Sequence, residues 1–105
     1  MTPLKIYVDI DETICYYEDI REYHLAKPIN SHISKINKLY DEGNHITYYT
    51  ARASVYKDRL EEFTNLTKQQ LDKWGCKYHI LSVGEKPAYD LLICDKTKRI
   101  EEIDV

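Results

Sequence analysis

Glycine and proline are scarce in this 105-residue chain, three of each, and no apolar run is long enough to cross a bilayer. With 43% hydrophobic and 31% charged residues, that scarcity argues against a disordered or low-complexity chain and for a compact soluble fold. There is no block of Lys or Arg, and the net charge is −3, so nothing advertises nonspecific binding to nucleic acid or membrane. Met1-Thr2-Pro3-Leu4-Lys5 lacks a signal-peptide pattern, which makes the cytoplasm the expected compartment. Cysteine is sparse too. Cys15, Cys76 and Cys94 are odd in number, far apart and without metal-ligand spacing to any of the four His residues, so they read as reduced thiols. Asn65-Leu66-Thr67 matches a glycosylation sequon by chance. No internal repeat is visible, and the length suits one domain, 1–105, with a core but no room for a separate lid.

Against this background the stretch from Ile6 to Ile14 stands out. An apolar, β-branched run reads as a buried strand, and Asp9 and Asp11 appear where it should end. If extended geometry continues to Asp11, both side chains point to one side. Two carboxylates without an adjacent Lys or Arg repel each other, and such pairs usually share a cation or a proton. The plainer alternative is a surface turn in which they cap the next segment.

From Ile14 to Pro28 the periodicity is poor, which predicts an irregular segment or short hairpin lying over the end of the first strand. Of the ten Tyr residues, Tyr16, Tyr17 and Tyr23 crowd this segment, as cleft-lining aromatics or as half-buried strand positions. Ile29, Ile33, Ile36 and Tyr40 define one face of a helix, capped by Asn30 or Ser31 and ended by Gly43. His45 to Tyr49 is a second strand, running into Thr50-Ala51-Arg52. Ser54 to Phe63 is helix-compatible, with Tyr56, Leu60 and Phe63 inward, and Thr67-Lys68-Gln69-Gln70 resembles a capping box opening a shorter helix that Gly75 closes. Tyr78 to Leu81 is a weak third strand. Leu91 to Cys94 is a buried strand ending in Asp95, and Ile100 to Ile103 suits a final helical turn.

Strands alternating with helices on short connections predict an α/β fold: a three-layer α/β/α, Rossmann-like, mainly parallel sheet with helices on both faces. Ligands in such folds bind beyond the C-terminal ends of the strands. Asp9, Asp11, Thr50 and Asp95 each follow a strand at that edge, and Lys86 lies in the loop before the last one. Hard carboxylate oxygens, a hydroxyl and a lysine at one rim fit a Mg²⁺-assisted phosphoryl site, where a carboxylate attacks phosphorus and water later releases the aspartyl-phosphate.

Asp9-Ile10-Asp11-Glu12-Thr13 after one strand, Thr50 after a second, Lys86 before a third and Asp95 at its end resemble the four ordered motifs of the haloacid dehalogenase superfamily. Tyr48-Tyr49-Thr50-Ala51-Arg52 and Gly84-Glu85-Lys86-Pro87 resemble those of small phosphatase-like members, some linked to polysaccharide biosynthesis. The resemblance implies a Mg²⁺-dependent phosphomonoester hydrolase, acting on a sugar phosphate or another phosphorylated metabolite. It makes Asp9 the nucleophile and a metal ligand. Asp11 becomes the general acid and base, with its backbone carbonyl on the metal. Thr50 would bind the phosphoryl oxygens, Lys86 would neutralise charge, Asp95 would complete the Mg²⁺ site and Thr13 would support the loop. In isolation Thr50 reads as an ordinary strand end and Lys86 as a solvated loop lysine. Arg52 has two readings, a substrate contact or a surface salt bridge.

Two departures from the resemblance matter. Members of this style often carry two adjacent acids after the last strand, whereas here Cys94 precedes Asp95. Asp90 lies five residues before Asp95, about 16 Å along an extended strand. The second departure is size: Ile14 to Tyr49 is 36 residues and Ala51 to Glu85 is 35, both used largely by core elements, which implies a core without a cap. An open site suits a phosphorylated small molecule enclosed by a neighbouring subunit of a homo-oligomer, or a macromolecular phosphate. The alternative function, motivated by Cys94, is a catalytically impaired phosphate-binding or interaction module. A phosphoacceptor receiver domain fits less well, because its acceptor Asp would fall where this chain has Thr50.

Overall fold

The computed structural model describes residues 3–20, 22–52, 57–84 and 91–93. Strand β1 (Lys5–Asp9) is followed by a small antiparallel pair, β2 (Cys15–Tyr16) and β3 (Lys27–Pro28), then helix α1 (Asn30–Asp41), strand β4 (His45–Thr50), helix α2 (Leu60–Lys73), and strands β5 (Ile80–Val83) and β6 (Leu91–Ile93). The main sheet has the order β5-β4-β1-β6, and every described pairing in it is parallel. Ile6 stands opposite Ile46 and Leu91, and Val8 opposite Tyr48 and Ile93.

Alternation along the strands decides which face meets the helices. Ile6, Val8, Ile46 and Tyr48 form one buried cluster with Ile33, Ile36 and Leu39 of α1 and Leu71 of α2, so both described helices pack on the same face. Thr47 and Tyr49, on the other face, are buried as well. Successive β-α-β connections that step in one direction across a parallel sheet place their helices on one side, because each crossover is right-handed. Among the described residues no helix is long and apolar enough to span a membrane.

The first expected strand, the hairpin after it, the α1 face and the strand entering Thr50 correspond to elements of the structure. Three local expectations are corrected. Helix α1 is capped from Ile29 without a side-chain hydrogen bond, so Asn30 and Ser31 lie inside it, and Leu39 rather than Tyr40 is the buried residue of its last turn. Gly43, at φ 98°, ends it as expected. Asn44 then accepts from the Leu4 N–H and donates to the Leu39 carbonyl, tying the helix exit to the start of β1.

Helix α2 runs unbroken through the supposed capping box. Thr67 donates to the Phe63 carbonyl one turn back, the bond of a threonine within a helix and not at its start, while Leu60 is exposed. The third correction concerns β5, which begins at Ile80, two residues later than the apolar pattern suggested, and forms the sheet edge. The final helical turn expected at Ile100 to Ile103 lies outside the described residues.

Ile36 is fully buried between α1 and the sheet. Ile36→Ala is expected to destabilise the protein by about 3 kcal/mol, through lost transfer energy and the cavity left behind, measured by urea unfolding.

Candidate functional site around Asp9 and Asp11

The carboxyl end of β1 opens into a tight turn. Thr13 and Ile14 both donate to the Ile10 carbonyl, Glu12 donates to the Cys15 carbonyl, and Glu12 takes a left-handed conformation at φ 67°. This conformation costs a non-glycine residue about 1 kcal/mol. The turn separates the two aspartates. Asp9 remains the last strand residue, partly exposed, and its carboxylate accepts the N–H of Ile10 at 2.8 Å. Asp11 lies beyond the strand and enters a different environment, so extended geometry does not continue to it.

Asp11 is held by Arg52. Nη2 of Arg52 donates to Oδ1 at 2.7 Å and Nε donates to Oδ2 at 3.0 Å, a bidentate pair in which the Arg52 side chain has 0% exposure and Asp11 12%. The Tyr17 hydroxyl donates to Oδ1 at 2.5 Å and accepts from Arg52 Nη2 at 3.2 Å. Thr50, 1% exposed, donates its hydroxyl to Oδ2 at 3.3 Å and accepts the backbone N–H of Arg52 at 3.2 Å. The Cys15 thiol makes a longer contact with Oδ1, 3.5 Å.

Helix α2 holds the rest of the guanidinium. Nη1 of Arg52 donates to Thr67 Oγ1 at 3.0 Å and to Gln70 Oε1 at 2.6 Å, and Gln70 donates onward to the Tyr23 carbonyl at 2.6 Å. The Tyr23 ring covers the guanidinium, with Cζ 4.8 Å from its centroid. All five N–H directions of Arg52 are thereby used.

Burial alone pushes the Asp11 carboxyl up; the hydrogen bonds and charge of Arg52, with Tyr17 and Cys15 also donating, outweigh it and hold Asp11 below its ordinary value. Burial, then the Asp11 carboxylate, pushes the Cys15 thiol up to about 12 and the Tyr17 phenol upward as well, so both stay protonated. Cys15 and Cys76 are free thiols.

Of the residues singled out in the sequence, Asp11, Thr50 and Arg52 meet in one network, with Asp9 two residues from it along the chain. Arg52 is neither the surface salt bridge nor the open substrate contact expected for it; it is enclosed, with its donors spent on protein acceptors. Lys86, Cys94 and Asp95 lie outside the described residues. Sequence reasoning missed Thr67 and Gln70, and named Tyr17 only as a cleft-lining aromatic or half-buried strand position, not as a partner of Asp11. The crowding of tyrosines after Asp11 was the signal for Tyr17, while Thr67 and Gln70 were assigned to a cap. A separate groove of about 890 Å³ runs between Tyr23 and α2, lined by His24, Arg59, Glu62, Phe63 and Leu66, and contains neither aspartate.

Removing one member of the buried pair strands the other. Arg52→Met is expected to cost about 3–5 kcal/mol, and the double change with Asp11→Asn less than the two single costs together, in a urea-denaturation cycle. Because the folded-state value of Asp11 is depressed, its contribution is present above the unfolded value near 3.8 and is lost as pH falls below it. Stability of the wild type should therefore fall more steeply below about pH 4 than that of Asp11→Asn.

No protein-family model and no curated protein matches this chain. Its fold is similar to that in the crystal structure of a structural-genomics target from Vibrio cholerae, with 23% sequence identity, 78% of this chain and 71% of that one covered, and a TM-score of 0.65. At that identity the likeness shows the fold alone, a small α/β domain built on a parallel sheet.

Proposed function

We propose that the protein is a Mg²⁺-dependent phosphomonoester hydrolase that works through an aspartyl-phosphate, on a capless core of the haloacid dehalogenase type. The observation that carries this reading is the position of Asp9 and Asp11 at the C-terminal end of β1. From β1 the chain steps to β4 and β5 on one side and returns to β6 on the other. Open parallel sheets bind ligands where the strand order reverses in this way. The finer arrangement, helices on both faces, belongs to the same reading, and the burial of Thr47 and Tyr49 opposite the helices supports it.

In this reading an Asp9 oxygen attacks phosphorus, the bond to the leaving-group oxygen breaks, and water then hydrolyses the acyl phosphate with Asp11 as its base. The lowered Asp11 is ionised, the form a base requires, while Arg52 and Tyr17 reduce its basicity. Protonation of the leaving oxygen requires a proton to be delivered to it first. Thr50 turns its hydroxyl from Asp11 to a phosphoryl oxygen, Lys86 offsets charge, and Arg52 serves by holding Asp11. The described donors at this point are oxygens, which fit Mg²⁺: the Asp9 carboxylate and the Asp11 backbone carbonyl would hold it together with Asp95. When bound, the ion would offset the charge of a phosphate facing a carboxylate. The substrate class is a phosphorylated small molecule such as a sugar phosphate, with a macromolecular phosphate as the other option. Exposed Tyr16, Ile20 and Leu25 on the segment after β1 are apolar surface that a second subunit would cover.

A second reading, a phosphate-binding module without turnover, draws on the full engagement of the Asp11 carboxylate. Phosphate release from sugar phosphates, nucleotides and phosphopeptides with Mg²⁺ separates the two. Hydrolysis predicts release that Asp9→Asn lowers by at least about 10³-fold; wild-type release no greater than that of Asp9→Asn across the panel would leave only the binding module.

A further inference from the structure

A carboxylate offers about four lone-pair directions, and in Asp11 each oxygen already accepts two N–H or O–H donors. Oδ1 takes Arg52 Nη2 and Tyr17; Oδ2 takes Arg52 Nε and Thr50. A leaving-group oxygen or a hydrolytic water can reach Asp11 only by replacing one of them. Arg52 is enclosed and its other donors are fixed to α2. Thr50, whose hydroxyl the hydrolase reading turns to a phosphoryl oxygen, is 1% exposed at the end of a central strand, so the Oδ2 direction it vacates faces the phosphoryl group and not the solvent. The Cys15 thiol behind them is fully buried.

Tyr17 differs from these partners. It is only partly buried, so it stands on the side from which a molecule arrives from solvent. It belongs to residues 15–28, whose described regular structure is two strands of two residues each and one three-residue 3-10 turn, Tyr23–Leu25, next to the exposed side chains of Tyr16, Ile20 and Leu25. Such a segment, poor in buried apolar contacts, moves at lower cost than a sheet strand.

We infer that Tyr17 is a gating residue whose hydroxyl holds the Oδ1 position that the leaving-group oxygen and then the hydrolytic water must occupy, so that substrate binds by displacing it. This rests on the hydrolase reading for its role in turnover, but the contact itself can be tested without turnover. The proton of Tyr17 stays on the phenol throughout; its bond to Asp11 Oδ1 is exchanged for one from the arriving group, and the Arg52 Nη2 N–H that Tyr17 accepts turns to that group's oxygen. Binding to a state that is only a fraction of the population weakens apparent affinity by that fraction.

Tyr17→Phe keeps the ring and removes the hydroxyl. The expected result is a KM lower by about tenfold with kcat changed less than about twofold, while Tyr16→Phe leaves both unchanged. Loss of a merely structural bond would lower the melting temperature and leave KM where it was, and loss of a group that positions Asp11 would lower kcat; either result overturns the inference. Calorimetric titration of wild type and Tyr17→Phe with inorganic phosphate in saturating Mg²⁺ gives a second readout, expected to show about tenfold tighter binding in the variant. Equal or weaker phosphate binding by the variant, or binding by neither protein, overturns the inference. If Tyr17→Phe does not fold, Tyr17→Leu carries the same two expectations. Absence of hydrolysis by the wild type is a separate result, which removes the hydrolase reading and leaves the phosphate titration to decide on Tyr17.

Discussion

The buried ion pair between Arg52 and Asp11 is the constraint on which the candidate site depends. A guanidinium without solvent contact must have every donor satisfied, and this one draws its acceptors from three parts of the chain: the turn after β1, the tyrosine-rich segment and one face of α2. The demands of one side chain therefore explain several otherwise odd residues. Thr67 and Gln70 are polar on the buried face of a helix because Arg52 Nη1 ends there, and Gln70 passes the connection to the backbone of Tyr23. Such a network does little for net stability when compared with a well-packed apolar core, but a defect in it is expensive, because a lone buried charge remains.

The same pair explains why two aspartates so near in sequence differ in character. Asp9 ends a strand in the middle of the sheet and accepts from its neighbour's backbone, whereas Asp11 has been carried by the turn into the grip of Arg52. Left-handed backbone at Glu12 is the local cost of that separation. A nucleophile needs an approachable oxygen, and an acid or base needs an exchangeable one. The proposed chemistry asks for that division of labour.

How much of this was legible in the sequence follows from the range of the interactions involved. Strand β1, helix α1 and strand β4 were readable because apolar periodicity and β-branched residues report burial directly, and Gly43 marks its helix end with a left-handed turn. The hairpin after Ile14 was visible as a failure of periodicity. Helix α2 was misread at Thr67, since a hydroxyl followed by Gln looks like a cap when its true partners, Phe63 within the helix and Arg52 from another element, are unknown. Arg52 was misjudged for the same reason. Nothing local to Thr50-Ala51-Arg52 says that a carboxylate from the other end of the core will meet it. Spacing brought Asp11 and Thr50 to one rim in advance; only the folded chain could show that they touch.

The strand order also bears on how the molecule assembles. Strands β1, β4 and β5 are joined by successive crossovers and form neighbouring pairs, while β6 meets β1 only at the end, with Ile6 opposite Leu91. Until that last, most non-local pairing closes, one edge of β1 presents unpaired backbone groups beside Asp9. A partly folded chain would therefore be stickiest at the strand that carries the proposed nucleophile, and folding rate and resistance to aggregation should both hinge on how fast β6 arrives.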